Sequence, residues 1–133
     1  MCFKRKAGGE KKKGALFTFP GSAFSPTYSM ELVVVLCTFP NMDVAREIAT
    51  RLVELKIAAC VNLTPGAHSI YRWQGKIETS DEVLGFIKTT RALYPTLEQN
   101  IKSIHPYDVP EIVMLPVEQA QERYAQFVRE AVS

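Results

Sequence analysis

Leu32-Val33-Val34-Val35-Leu36-Cys37 is an unbroken apolar run, rich in β-branched residues and six residues long. A run that short, with no polar alternation, fits a strand covered on both faces. Pro40-Asn41 breaks it, and Asn41 is placed to cap whatever follows. Between Met42 and Lys56 the apolar residues Ala45, Ile48, Ala49, Leu52 and Leu55 recur at helical spacing, with Arg46, Glu47, Arg51 and Glu54 on the other side. A buried strand that runs straight into an amphipathic helix commits the chain to a fold in which helices pack on a sheet. Ile57 to Leu63 returns to strand composition. Pro65-Gly66 reads as a bend or bulge, Ser69 to Trp73 continues extended, Gln74-Gly75-Lys76 turns a hairpin, and Ile77 to Thr90 is its return strand.

The second half repeats the theme. Leu93, Leu97, Ile101 and Ile104 define one helix face, with Pro95 near its start and Pro106 ending it. Ile112 to Val117 is another short strand. Glu118 to Val132 closes with a helix whose stripe would be Ala120, Tyr124, Phe127, Val128 and Ala131. The order β-α-β-β-α-β-α is two split βαβ units. It predicts an α+β, ferredoxin-like antiparallel sheet with helices on one face, plus a C-terminal helix. The opposite sheet face and the edges of the long hairpin would be bare, and self-association is the usual resolution.

A chain of 133 residues is large enough for one domain with a core, and 47% hydrophobic with 23% charged residues describes a globular protein. No apolar run approaches the ~20 residues of a membrane helix. The net charge of +2 is unevenly spread: residues 1–29 hold six Lys/Arg against one Glu, whereas residues 30–133 hold ten against thirteen Asp/Glu. The mildly acidic body argues against a nucleic-acid surface. Residues 1–29, with Lys4-Arg5-Lys6 and Lys11-Lys12-Lys13, carry neither helical nor strand period. They read as a flexible basic extension before a domain at 30–133, with Met30 a native or alternative start. Cys2, Cys37 and Cys60 are too few and too scattered for a disulfide framework, which suggests a reduced, cytoplasmic protein. Enzyme chemistry finds little support: the sequence holds no nucleophile elbow, phosphate-cradling glycine loop, HExxH or CxxC, which leaves an unrecognised small-molecule enzyme as the third-ranked alternative.

Polar and aromatic chemistry gathers at two places, Ser69-Ile70-Tyr71-Arg72-Trp73-Gln74-Gly75-Lys76 and Lys102-Ser103-Ile104-His105-Pro106-Tyr107-Asp108-Val109-Pro110-Glu111-Ile112. Together with Ala58-Ala59-Cys60-Val61-Asn62, Glu82 and Ile87-Lys88-Thr89-Thr90, these segments resemble the CutA divalent-cation tolerance family over residues 32–132, above all through Y-x-W-x-G-K and H-P-Y-x-x-P-E. The resemblance implies a ferredoxin-like subunit, a tight homotrimer built from sheet edges, and loose association with copper or another divalent metal ion. In architecture it is also similar to PII-type signalling trimers. It implies no reaction.

Cys37 and His105 look like the residues implicated in the family's copper binding. A thiolate selects Cu(I), and neutral imidazole suits copper or zinc. Otherwise Cys37 is a small hydrophobe at a strand end, and His105 a ring that caps helix carbonyls. The family often carries a second His just before this one; Ile104 stands there, which predicts weaker or differently composed metal binding. Tyr71, Trp73 and Tyr107 read as interface packing. Lys88 is a cation in an apolar strand and needs a partner, with Glu78, Glu82 and Glu111 as candidates. Alternatively Lys88, Tyr107, Glu82 and Trp73 line an inter-subunit pocket for an anion or small metabolite, or a face for a protein partner. His68 reads as a solvated loop residue and Cys60 as part of the core.

Overall fold

The computed structural model describes residues 30–133, so the expected extension at 1–29, with Cys2, lies outside the described residues. Strand β1 spans Leu32–Phe39, helix α1 Met42–Glu54, β2 Cys60–Trp73, β3 Lys76–Thr90, α2 Tyr94–Ile104, β4 Ile112–Pro116 and α3 Glu122–Ala131; a 3-10 turn at Arg91–Leu93 leads into α2. The sheet order is β2-β3-β1-β4, and every neighbouring pair is antiparallel. This is the ferredoxin-like arrangement expected from the element order.

Each boundary has a local cause. The Asn41 side chain accepts from the Val44 N–H at 2.9 Å and so caps α1. Past the end of α1, Lys56 turns into the left-handed region, and the Ile57 and Ala58 N–H groups both return to Leu52 O. In α2, Pro95 sits in the first turn, and the chain leaves the helix at His105, whose backbone is extended as the following Pro106 requires. The β2–β3 register shifts between Thr64 and Ala67, so Pro65-Gly66 is a bulge.

Alternation divides the sheet cleanly. Val33, Val35, Cys37 and Phe39 of β1 pack with Val83 and Ile87 of β3 against Ala45, Ile48 and Leu52 of α1 and Leu97 and Ile101 of α2. Residues of opposite parity face the other way. On that side Leu32, at one end of β1, is the sealed apolar residue among those described, and α3 seals it with Ala125 and Val128; Thr38, Glu82 and Thr90 are buried polar residues of the same parity. The remainder, with Val113 and Leu115 of β4 among it, stays open.

The C-terminal helix departs from the expected stripe. It begins at Glu122, so Ala120 precedes it, and it buries Ala125 and Val128 while Tyr124 and Phe127 remain exposed. The small Ala125 lets the helix lie close on the sheet, and the two rings project beside that contact.

The hairpin outruns the sheet. β1 pairs with β3 only from Val83 onward, so Lys76 to Glu82, with their partners Ala67 to Trp73, form a two-stranded arm about 23 Å long at the usual rise per residue.

Candidate functional site

The end of β1, the exit of α2 and the base of the arm meet at one place. His105 leaves α2 stacked on Phe39, with ring centroids 5.5 Å apart, and lies 4.7 Å from the Tyr107 ring. Its Nδ1 accepts the Tyr107 N–H at 3.1 Å, so Nε2 carries the proton and donates it to Thr38 O at 2.8 Å. Burial pushes the imidazole below its ordinary value of 6.5, against the opposing pull of the Thr38 carbonyl and the Glu82 charge. His105 is therefore a buried neutral ring with both nitrogens engaged. The reading of His105 as a ring that caps the carbonyls of its own helix is corrected here: the segment folds back over Phe39. The carbonyl it binds belongs to β1, not to its own helix.

Cys37 is fully buried, and its thiol also points at Thr38 O, at 3.8 Å. The structure thus brings the two sequence-derived metal candidates onto a single carbonyl oxygen. Thiol and imidazole are the donor set of a soft ion. As they stand, both carry protons aimed at Thr38, and among the described residues no group of three or more His, Cys, Asp or Glu side chains could hold a metal. The pair fits an ion only after both protons leave and the His105–Thr38 bond opens.

Glu82 is the neighbouring buried charge. The Tyr107 hydroxyl donates to it at 2.9 Å, and Ser80 Oγ approaches its other oxygen at 3.5 Å. This contact closes β3 just where β1 ends, and gives the arm a polar base. The other pocket candidates do not join them within one subunit. Trp73 pairs with Lys76 at the tip of the arm, and Lys88 pairs with Cys60 twelve residues further along β3, roughly 40 Å away at strand rise. Tyr71 lies on the arm opposite Glu78.

Lys88 takes none of the three expected carboxylates. It donates to Asn62 Oδ1 and, at 3.3 Å, to Phe86 O. Asn62 is two residues beyond Cys60 on the facing strand, whereas Glu82 is held by Tyr107. His68 is a strand residue, not a loop residue, and bonds Asp81 across the arm at 2.6 Å. Cys60 is half-buried at the start of β2 instead of in the core, because it shares the open face with Lys88. Sequence reasoning missed Thr38, whose contribution is a backbone carbonyl, and Asn62. The one available signal for Asn62 was an amide facing a strand lysine.

Comparison with known proteins agrees with this architecture. The model of the family described as CutA1 divalent ion tolerance protein matches residues 33–131. A divalent-cation tolerance protein CutA of Thermus thermophilus is 50% identical over 97 residues, covering 73% of this chain and 94% of its own. Protein CutA of Homo sapiens is 49% identical over 110 residues, covering 83% of this chain; the match spans 60% of the human protein. The solved Thermus thermophilus structure superposes with a TM-score of 0.75 at 47% identity, over 77% of this chain and 99% of that one. More distant relatives carry compartments in their names, chloroplastic in Arabidopsis thaliana and periplasmic in Archaeoglobus fulgidus. Among the described residues no helix is long and apolar enough to cross a membrane.

Proposed function

We propose that this chain, which belongs to the CutA1 divalent ion tolerance family, serves cation tolerance as a homotrimer that binds copper, and other divalent ions more weakly, through Cys37 and His105. The observation that carries the metal reading is the convergence of the Cys37 thiol and the His105 Nε2–H on Thr38 O. The lowered pKa of His105 supports it, because the ring is already in the neutral form that ligates. The cost of releasing Thr38 and deprotonating Cys37 makes the binding weak and pH-dependent. Binding, not turnover, is the activity assigned.

The assembly reading rests on the arm and on the open side of the sheet. Ile70 and Ile77 on the arm are 73% and 63% exposed, and Val113 and Leu115 on edge strand β4 are 46% and 45% exposed. Neighbouring copies would cover such surfaces. A reducing compartment such as the cytoplasm suits the unbridged Cys37 and Cys60.

The test is a copper(I) titration of the full chain in a Cys2→Ser background, repeated with Cys37→Ala and His105→Ala. If one ion is shared, either substitution removes most of the binding, and affinity falls as pH drops. Unchanged affinity in both single variants and in the double variant would sink the metal reading.

A second reading is favoured by one observation, the buried Glu82–Tyr107 pair at the base of a long arm. A PII-like signalling or scaffold trimer would complete a pocket there when Trp73 or Lys88 arrives from another subunit. A thermal-shift screen with small anionic metabolites tests it. A ligand at 100-fold its dissociation constant adds about 2.7 kcal/mol, and a flat screen removes the support.

A further inference from the structure

The loop between α2 and β4 turns one side chain inward. Pro106, Asp108 and Val109 are exposed, whereas Tyr107 among them is buried against His105 and Glu82. Tyr107 holds those two residues with different parts of itself. Its backbone N–H donates to His105 Nδ1 at 3.1 Å, and its hydroxyl donates to Glu82 Oε2 at 2.9 Å. Glu82 is buried, and among the described residues no ion pair includes it. A hydrogen bond to a carboxylate is of the stronger kind, and removing one from a buried charge leaves that charge poorly satisfied. The phenol is therefore pinned, and with it the amide that rests on the imidazole.

That amide is incompatible with a ligating His105, whichever ring nitrogen takes the ion. A neutral imidazole has one nitrogen that donates and one that accepts. An ion at Nδ1 takes the lone pair that now accepts the Tyr107 N–H. An ion at Nε2 displaces the proton held by Thr38 O, and a ring that stays neutral then carries its proton at Nδ1, N–H facing N–H. Either way the Tyr107 N–H has to leave. We propose that Tyr107 is a latch over His105, that Glu82 holds the latch shut, and that copper binds only the form in which this loop has lifted. The inference rests on the metal reading given above and adds what limits the affinity. The apparent affinity is the intrinsic one multiplied by the fraction of chains in which the latch is open. Glu82 and Tyr107 are thus positioning residues, not ligands.

The experiment titrates copper(I) into the full chain in a Cys2→Ser background, with and without Tyr107→Phe, and follows amide exchange by NMR. Tyr107→Phe keeps the ring and the backbone N–H and removes only the hold on Glu82. It should bind copper(I) about tenfold more tightly, the lower end of what a hydrogen bond to a charged group is worth. A merely structural tyrosine would weaken binding when altered. In the metal-free protein the same substitution should speed exchange of the amide at position 107 about tenfold, with the β1 amides unaffected. Should Tyr107→Phe fail to fold, the unsubstituted chain still decides, because loading it with copper(I) must speed exchange of the Tyr107 amide. If the chain binds no copper(I), or binds it as well with Cys37 and His105 both replaced by alanine, the metal reading falls and the latch with it. If binding needs those two residues, the latch alone is overturned by equal or weaker binding in Tyr107→Phe, or by a Tyr107 amide that copper leaves as protected as before.

Discussion

Thr38 is an ordinary threonine in sequence, yet its carbonyl receives both the Cys37 thiol and the His105 Nε2–H. With Nδ1 accepting from the Tyr107 N–H, the ring has no room for a second proton: protonation would set N–H against N–H. The direction of the pH effect follows. The folded pKa lies below the ordinary 6.5, so the unfolded chain binds more protons between the two values. The contribution of His105 to stability is complete above about pH 6.5 and is lost as pH falls through the lowered folded value. Denaturant midpoints measured across that window should drop on the acid side, and His105→Gln should flatten that drop; an unchanged slope in the variant would refute the assignment. From sequence, His105 and Cys37 could be singled out by residue type. That they meet at Thr38 could not, because any residue presents the same carbonyl, and only the fold decides which one both side chains reach.

The arm is the element that sets this chain apart from a minimal split βαβ sheet. Its turn uses Gln74 and Gly75, both in the left-handed region with φ of 48° and 77°. Two successive positive values give the turn type whose twist matches the flanking strands. Nothing lies within 4 Å of a Cβ built on Gly75, so Gly75→Ala is penalised by backbone conformation alone. The expected loss is about 1 kcal/mol, read as faster amide exchange from Arg72 to Ile77 with the core amides unaffected. The turn, the Pro65-Gly66 bulge and the Asn41 cap were all legible, because each depends on local chemistry alone: backbone preference at the turn and the bulge, a side-chain acceptor at Asn41. The facing of α3 was not. Tyr124, Phe127, Val128 and Ala131 satisfy a helical stripe as well as Ala125 and Val128 do, and hydrophobicity favours the rings. The close approach to Leu32 selects the small residue instead, a tertiary constraint without a local signature. Lys88 was misjudged for a related reason. Carboxylates were the obvious partners by charge, but the register puts Asn62 within its reach and commits Glu82 to Tyr107.

At the scale of the whole molecule the described chain carries apolar side chains with nothing over them, and the assembly proposal can be separated from simple stickiness by choosing where to place a charge. Leu115 is 45% exposed on edge strand β4. In an isolated subunit an aspartate there would remain hydrated, and surface substitutions of that kind change stability by about 0.5 kcal/mol or less. Beneath a second copy the same carboxylate would be buried without a partner, at roughly 3–5 kcal/mol. Leu115→Asp should therefore leave the subunit fold intact while shifting the sedimentation profile from trimer toward monomer at micromolar concentration. Trp73→Ala acts at the far end of the arm, where a buried aromatic anchor is worth roughly 2–4 kcal/mol, and it should weaken the same assembly without touching β4. If both variants sediment like the unsubstituted chain, neither the sheet face nor the arm is the contact. If only Trp73→Ala dissociates it, the arms hold the subunits together and the open side of the sheet faces solvent.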